Sequence, residues 1–195
     1  IQQYIESSEG KFEPYSYAVA LFYYSSFTGY SKITQSLKYY ANLSAGRYFS
    51  SILAQKLEHS KWLQDIDAFV PVPLHWTRLW TRGYNQAEII AESLAKGFKA
   101  QVISNLLKRT RRTTSQTRLD AQQRSGNVSG AFCVNSKVMD RLLKQNIRHV
   151  ALVDDVFTTG ATLMACYTEL KIWLKAKGIN TEAFRISIIT LGFVG

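Results

Sequence analysis

Cysteine is scarce in this chain: there are two in 195 residues, Cys133 and Cys166, and neither belongs to a C-x-x-C pair. That excludes a disulfide framework, offers no zinc-ligand spacing and points to a reducing compartment, with the cytoplasm as the expected location. Long apolar runs are missing too. No stretch approaches the roughly 18 uninterrupted apolar residues of a membrane helix, so no membrane association is expected. Residues 1–14 mix Glu, Ser, Gln and Lys and do not read as a secretory signal; position 1 is not Met, as expected of a processed or truncated protein. Acids are few, 14 Asp and Glu against 24 Lys and Arg. Internal repeats and low-complexity tracts are absent.

What is present describes a soluble globular domain: 46% hydrophobic and 19% charged residues in a length that buries a sizeable core. The net charge of +10 is localised. Residues 71–130 hold ten Lys and Arg but three acids (Glu88, Glu92, Asp120), and so carry +7 of it. Such an excess suits a polyanionic partner (a pyrophosphate, a nucleotide or nucleic acid) or a solvated basic surface.

Tyr15 to Phe27 reads as a strand. Residues 30–58 read as helix in two pieces broken near Asn42, with apolar residues at helical spacing. Ala68 to Pro73 is a short strand ending in Pro-Val-Pro, and residues 85–99 are helical. Ala131 to Val134 suits a short strand. His149 to Val153 is an apolar run typical of a strand buried on both faces. Residues 160–177 form a helix stopped by Gly178, and Phe184 to Leu191 a last strand. Alternating strands and helices predict an α/β fold of three layers around a mainly parallel sheet of about five strands. An N-terminal strand-helix region, 1–62, is expected to pack on a core of 63–195. Ligands of such sheets sit beyond the carboxyl ends of strands, here after Val72 and after Val153.

Residues 150–163 read V-A-L-V-D-D-V-F-T-T-G-A-T-L. Four apolar residues make a strand, Asp154 and Asp155 end it, and a threonine-rich turn enters a helix. Unpaired amides at a helix N-terminus attract anions, threonine hydroxyls add donors, and Gly160 permits close approach of a phosphate. The carboxylates would repel that phosphate; they suit paired sugar hydroxyls, with a divalent cation as the alternative. Neither G-x-x-x-x-G-K-[ST] nor G-x-G-x-x-G fits the segment. Capping alone would account for one acid or one threonine, not for two acids and three threonines around a glycine.

This segment closely resembles the signature of type I phosphoribosyltransferases, which bind 5-phosphoribosyl-1-pyrophosphate (PRPP). The resemblance implies that Asp154 and Asp155 hold the ribose hydroxyls and that Thr158, Thr159, Gly160, Ala161 and Thr162 hold the 5-phosphate. Upstream, P-V-P-L-H-W-T-R-L-W-T-R-G-Y-N-Q (71–86) reads as a loop. Its Leu74, His75, Arg78 and Arg82 are the candidates for pyrophosphate, arginine presenting paired donors to phosphate oxygens. Trp76 and Trp80 either line a pocket or pack beneath the basic segment 108–131, which is expected to close as a hood and supply Arg118 to the developing charge.

P-V-P-L, then R-G-Y-N-Q-A-E, then R-T…Q-T-R-L…R…N-V…A-F, then V-D-D-V-F-T-T-G-A-T resembles the ComF/ComFC (competence protein F) branch in its order, as does Leu37-Lys38-Tyr39. The four-cysteine zinc module that usually opens such proteins is not among these residues. The resemblance implies transfer of a 5-phosphoribosyl group from PRPP to an unknown acceptor with release of pyrophosphate. Mg²⁺ would be carried by PRPP with Asp154 and Asp155 rather than by a dedicated metal site. The alternatives are a PRPP- or nucleotide-sensing module without turnover and an accessory of DNA uptake that binds single-stranded DNA; a homodimer is left open.

Overall fold

The computed structural model describes residues 16–24, 37, 42–60, 63–98, 100–111 and 130–194. Its elements are β1 (Ala18–Tyr24), α1 (Leu43–Leu57), β2 (Ala68–Pro71), α2 (Trp76–Arg82), α3 (Gln86–Phe98), β3 (Gln101–Val102), β4 (Leu107–Arg109), β5 (Phe132–Val134), α4 (Ser136–Lys144), β6 (His149–Phe157), α5 (Ala161–Ala176) and β7 (Arg185–Val194).

Five strands form one sheet in the order β1-β7-β6-β2-β3, every pairing parallel. β4 and β5 make a separate antiparallel pair. The central strands are apolar on both faces because both faces are covered. Val150, Leu152, Ile186 and Ile188 pack with Met139 and Leu142 of α4 and Leu163, Leu170 and Leu174 of α5. On the other face Phe69, Ala151, Val153 and Ile189 pack with Leu53 of α1 and Ile90 and Leu94 of α3. The result is the three-layer α/β arrangement with a parallel five-stranded sheet that the alternation of elements predicts. β1 is the edge strand of the sheet itself, in register with β7 from Ala18↔Ile188 to Tyr24↔Val194.

Local chemistry sets several boundaries. Asn42, where the sequence predicts a break, is the N-cap of α1: its Oδ1 accepts from the Ala45 amide at 3.0 Å. Asn85 ties the end of β2 to the start of α3, its Nδ2 donating to the Val72 carbonyl at 3.0 Å while its Oδ1 accepts from Ala87 N–H at 3.1 Å. Two helices differ from the sequence reading. Residues 76–82 are helical rather than loop, capped by an imidazole. Residues 136–144, read there as no element, form α4, which buries Val138, Met139 and Leu142.

At the amino end of β6 a polar cluster locks three strands together. Asp67 Oδ2 accepts from the amides of Arg148 and His149 at 2.7 and 2.8 Å. His149, fully buried, meets Asp65 Oδ1 through Nδ1 at 2.9 Å and Ser187 Oγ through Nε2 at 2.7 Å, and Arg185 bonds Asp65. His149, the first residue of the apolar run, is a core residue with both ring nitrogens engaged. Among the described residues no helix is long and apolar enough to cross a membrane.

Candidate functional site

The sheet changes direction between β2 and β6. From β2 the chain runs through α3 to β3 on one side, and from β6 through α5 to β7 on the other. Strands diverging this way open a crevice at their carboxyl ends, where ligands bind. The last bond between the two strands is Val72 N–H to the Val153 carbonyl, 2.9 Å. β6 continues beyond it, paired with β7 through Asp154↔Thr190 to Phe157↔Phe193. The two acids therefore lie within the strand instead of ending it, because β7 goes on pairing after β2 has turned away.

Strand alternation sends their side chains to opposite faces. Asp154 lies on the face of Val150 and Leu152 and is partly exposed; Asp155, on the face of Ala151 and Val153, is 2% exposed. Since the Val153 carbonyl points to β2, the Asp155 amide two residues on points the same way, into the gap that β2 leaves. Asp154 Oδ1 accepts from that amide at 2.8 Å. The bond leans the Asp154 carboxylate over the crevice.

The turn after β6 follows the same economy. Gly160 is left-handed (φ 73°), and a β-carbon there would strike the ring of Phe157, so no other residue fits without strain. Its carbonyl accepts the first α5 bond, from Met164 N–H at 2.8 Å. No side chain caps α5 by a hydrogen bond of N-cap type; Thr159 Oγ1 meets the Ala161 amide only at 3.5 Å. Thr158, Thr159, Ala161 and Thr162 are partly exposed. A helix of 16 residues thus directs its opening amides and the positive end of its dipole into a hydroxyl-lined turn beside Asp154.

Pro71 to Gln86 borders the crevice on the β2 side. Leu74 is partly exposed and His75 7% exposed. His75 caps α2: Nδ1 accepts from the Thr77 amide at 3.4 Å and lies 2.8 Å from Thr77 Oγ1. Arg78 is partly exposed, Arg82 bonds Gln86 Oε1, and left-handed Gly83 ends the helix. Trp76, Leu79 and Trp80 are 66%, 43% and 79% exposed, at i, i+3 and i+4 on one helical face. Most of the hood beneath which the sequence suggests the indoles pack lies outside the described residues.

One group in this neighbourhood has no sequence-level role: Arg109, on β4. It pairs with Phe132 and lies over that ring, 5.1 Å from its centroid. Burial and the adjacent Arg78 hold its guanidinium below the ordinary arginine value, with Cys166 and Asp154 acting the other way. Cys166 is fully buried, and desolvation together with Asp154 pushes its thiol far up; it is a neutral packing group and not a nucleophile. Arg118 and most of the hood, like Lys38 and Tyr39 of the L-K-Y stretch, lie outside the described residues. Among the described residues no three His, Cys, Asp or Glu gather as a metal site. Asp154 alone suits a hard cation held mainly by the oxygens of a ligand.

Three relatives bear on identity. Competence protein F of Haemophilus influenzae is 39% identical over 100 residues, 50% of this chain and 41% of that protein. DNA utilization protein YhgH of Escherichia coli K12 is 32% identical over 136 residues, 68% of this chain and 57% of that protein. Competence protein ComFC of Streptococcus pneumoniae is 31% identical over 117 residues, 60% of this chain and 46% of that protein. The chain therefore spans about half the length of the curated relatives it matches. No protein-family model matches it, and no solved structure does. With the parallel sheet, the acid pair at its switch point and these three likenesses together, the chain belongs to the competence protein F/ComFC family.

Proposed function

We propose that this protein binds PRPP at the crevice between β2 and β6 and transfers its 5-phosphoribosyl group to an acceptor, releasing pyrophosphate. The observation that carries the reading is one juxtaposition. A carboxylate leans over the crevice from the last residues of β6, and the next turn presents hydroxyls and helix-opening amides. Asp154 takes the ribose hydroxyls as acceptor, and the Thr158–Thr162 turn takes the 5-phosphate. Asp155, buried on the opposite face, shapes the strand end. Arg78 stands on the pyrophosphate side. The leaving group departs as the anomeric carbon gains oxocarbenium character, so positive charge fixed around the pyrophosphate lowers the barrier more than positive charge elsewhere. Asp154, together with oxygens of the ligand, would hold Mg²⁺, which would supply charge neutralisation.

The names of the relatives, competence and DNA utilization, support a link to the handling of DNA. They also favour a second reading, in which the exposed indoles of α2 beside Arg78 stack on single-stranded DNA and PRPP is sensed without turnover. Calorimetric titration with PRPP and Mg²⁺, followed by a screen of base and amine acceptors for pyrophosphate release, separates the two. For both, Asp154→Asn weakens PRPP about 100-fold, the worth of one or two charge-assisted hydrogen bonds. Wild-type affinity in that variant contradicts them.

A further inference from the structure

The sheet ends in two strands of different build. β3 is two residues long, Gln101–Val102, so the edge beyond it offers another strand little main chain. β1 runs for seven residues, Ala18–Tyr24, and among the described strands it has one neighbour, β7. Long edges are usually blunted by lysine, by proline or by a bulge. β1 reads A-V-A-L-F-Y-Y and holds a constant register with β7 from Ala18↔Ile188 to Tyr24↔Val194, so it carries none of the three. Every residue from Ala18 to Tyr23 is at least partly exposed, Tyr23 at 59%. A long, apolar and accessible edge is a template for a further strand.

Charge and residue size say which strand. No charged residue lies between Glu13 and Lys32, in a chain of net charge +10 whose residues 71–130 hold most of the excess. Two copies that met through the basic segment would set like charges together; two that met through β1 would not. The strand also complements itself. A two-fold axis normal to the sheet brings β1 against β1 antiparallel, and with the axis at Leu21 the small residues of one copy oppose the large ones of the other. Val19 then faces Tyr23 of the partner subunit, and Ala20 faces Phe22 of the partner subunit, aromatic against small or β-branched. The rings of Phe22 and Tyr23 are already held, against Phe49 at 5.1 Å and Phe193 at 5.8 Å, so little freedom is lost on pairing.

We propose that β1 is a homodimer interface, pairing antiparallel with β1 of a second copy about Leu21 and joining two five-stranded sheets into one of ten. Closure at two follows from the build of the edges, since β3 is too short to continue the series. The two crevices then open at opposite ends of the joined sheet, each complete within its own chain.

Sedimentation velocity on the full chain, from about 1 to about 200 μM, spans a dissociation constant on the order of 10 μM, suited to so small an interface. A monomer-to-dimer transition is expected, and Tyr23→Lys, which places a lysine on the accessible edge, should weaken it at least ~10-fold. In a Cys133→Ser chain, Leu21→Cys lies opposite its own copy, with α-carbons about 4.5–5.5 Å apart, and should cross-link under mild oxidation. Ala18→Cys lies roughly 20 Å from its copy, six residues along the strand, and should not. If Leu21→Cys does not fold, a mixture of Val19→Cys and Tyr23→Cys chains takes its place. A chain that stays monomeric over the whole range overturns the proposal, as do assemblies larger than two. A dimer indifferent to Tyr23→Lys, or one that Ala18→Cys cross-links as readily as Leu21→Cys, overturns it as well.

Discussion

At the amino end of β6, His149 sits between Asp65 and Ser187 while Asp67 takes two backbone amides and Arg185 closes on Asp65. At the carboxyl end of the same strand, Asp154 stands near Arg109, and Arg109 near Arg78, beside a turn of threonines. Both ends gather acids and bases, yet the groups serve different purposes. Below, they join β2, β6 and β7 to one another: three neighbouring strands meet in one buried ring. Above, positive charges approach each other, a helix starts without an N-cap bond from a side chain, and a glycine holds the chain where a side chain would block it. Mutual satisfaction marks a cluster that holds the fold; helix-opening amides beside a left-handed glycine and hydroxyls are what the proposed ligand site draws on.

The comparison breaks most visibly if the lower cluster is removed. His149→Ala strips a partner from the half-exposed Asp65 and from Ser187 inside the sheet, and leaves a void in a fully buried place, so a loss of about 3 kcal/mol is expected. Chemical denaturation measures it. Affinity for pyrophosphate or ribose 5-phosphate in the folded variant should not move. A ligand effect without a stability effect would reverse the roles assigned to the two ends.

A smaller effect sharpens the upper end. Asp154 and Asp155 are adjacent in sequence but face opposite sides of the sheet, so their Asn variants should not behave alike. Asp154→Asn is expected to weaken PRPP at least ~10-fold more than Asp155→Asn, the difference being roughly one charge-assisted hydrogen bond. Asp155→Asn, isosteric and 2% exposed, should register mainly in the melting curve. Equal losses of affinity would mean that both acids reach the sugar.

Much of the upper end was legible in the sequence because its logic is local. The apolar run of β6, the acids, the threonines and Gly160 lie within 14 consecutive residues, and each states its chemistry by type. The parallel sheet was legible from the rhythm of elements. Other features are non-local and were not. That strand alternation separates Asp154 from Asp155 follows only once β6 is known to keep pairing with β7 after β2 departs. Arg109 looked like any member of a basic run, because its distinction is a ring across a strand pair and a carboxylate brought near by the fold. α2 was hidden by its prolines and by an unusual cap: histidine is not a preferred N-cap residue, yet the His75 ring accepts from the Thr77 amide. α4 carried a signal, Asn135 before Val138, Met139 and Leu142, too brief to stand out beside polar neighbours.

The smallest effect concerns pH and belongs to the lower end alone. His149 is held below its ordinary value, first by burial and further by Arg185, against the pull of Asp65. At neutral pH the ring is therefore uncharged, its Nδ1–H donating to Asp65 and its Nε2 accepting from Ser187. In the unfolded chain the same imidazole protonates near its reference pKa of about 6.5. Because the folded value is the lower one, the unfolded state binds the proton first as pH falls. The stabilisation is full above about 6.5 and declines below it, down to the folded value. For Asp65 partial burial pushes the carboxyl up, but the hydrogen bonds from Arg185 and His149 prevail and lower it. Its contribution is thus present above the usual aspartate range and is lost only in more acidic solution. Calorimetric melting between pH 7.5 and 5 should show a midpoint that falls with pH. His149→Gln, which keeps an amide at the position but cannot titrate, should flatten that fall. An equally steep decline in the variant would locate the proton uptake elsewhere and leave the lower cluster a pH-indifferent clasp.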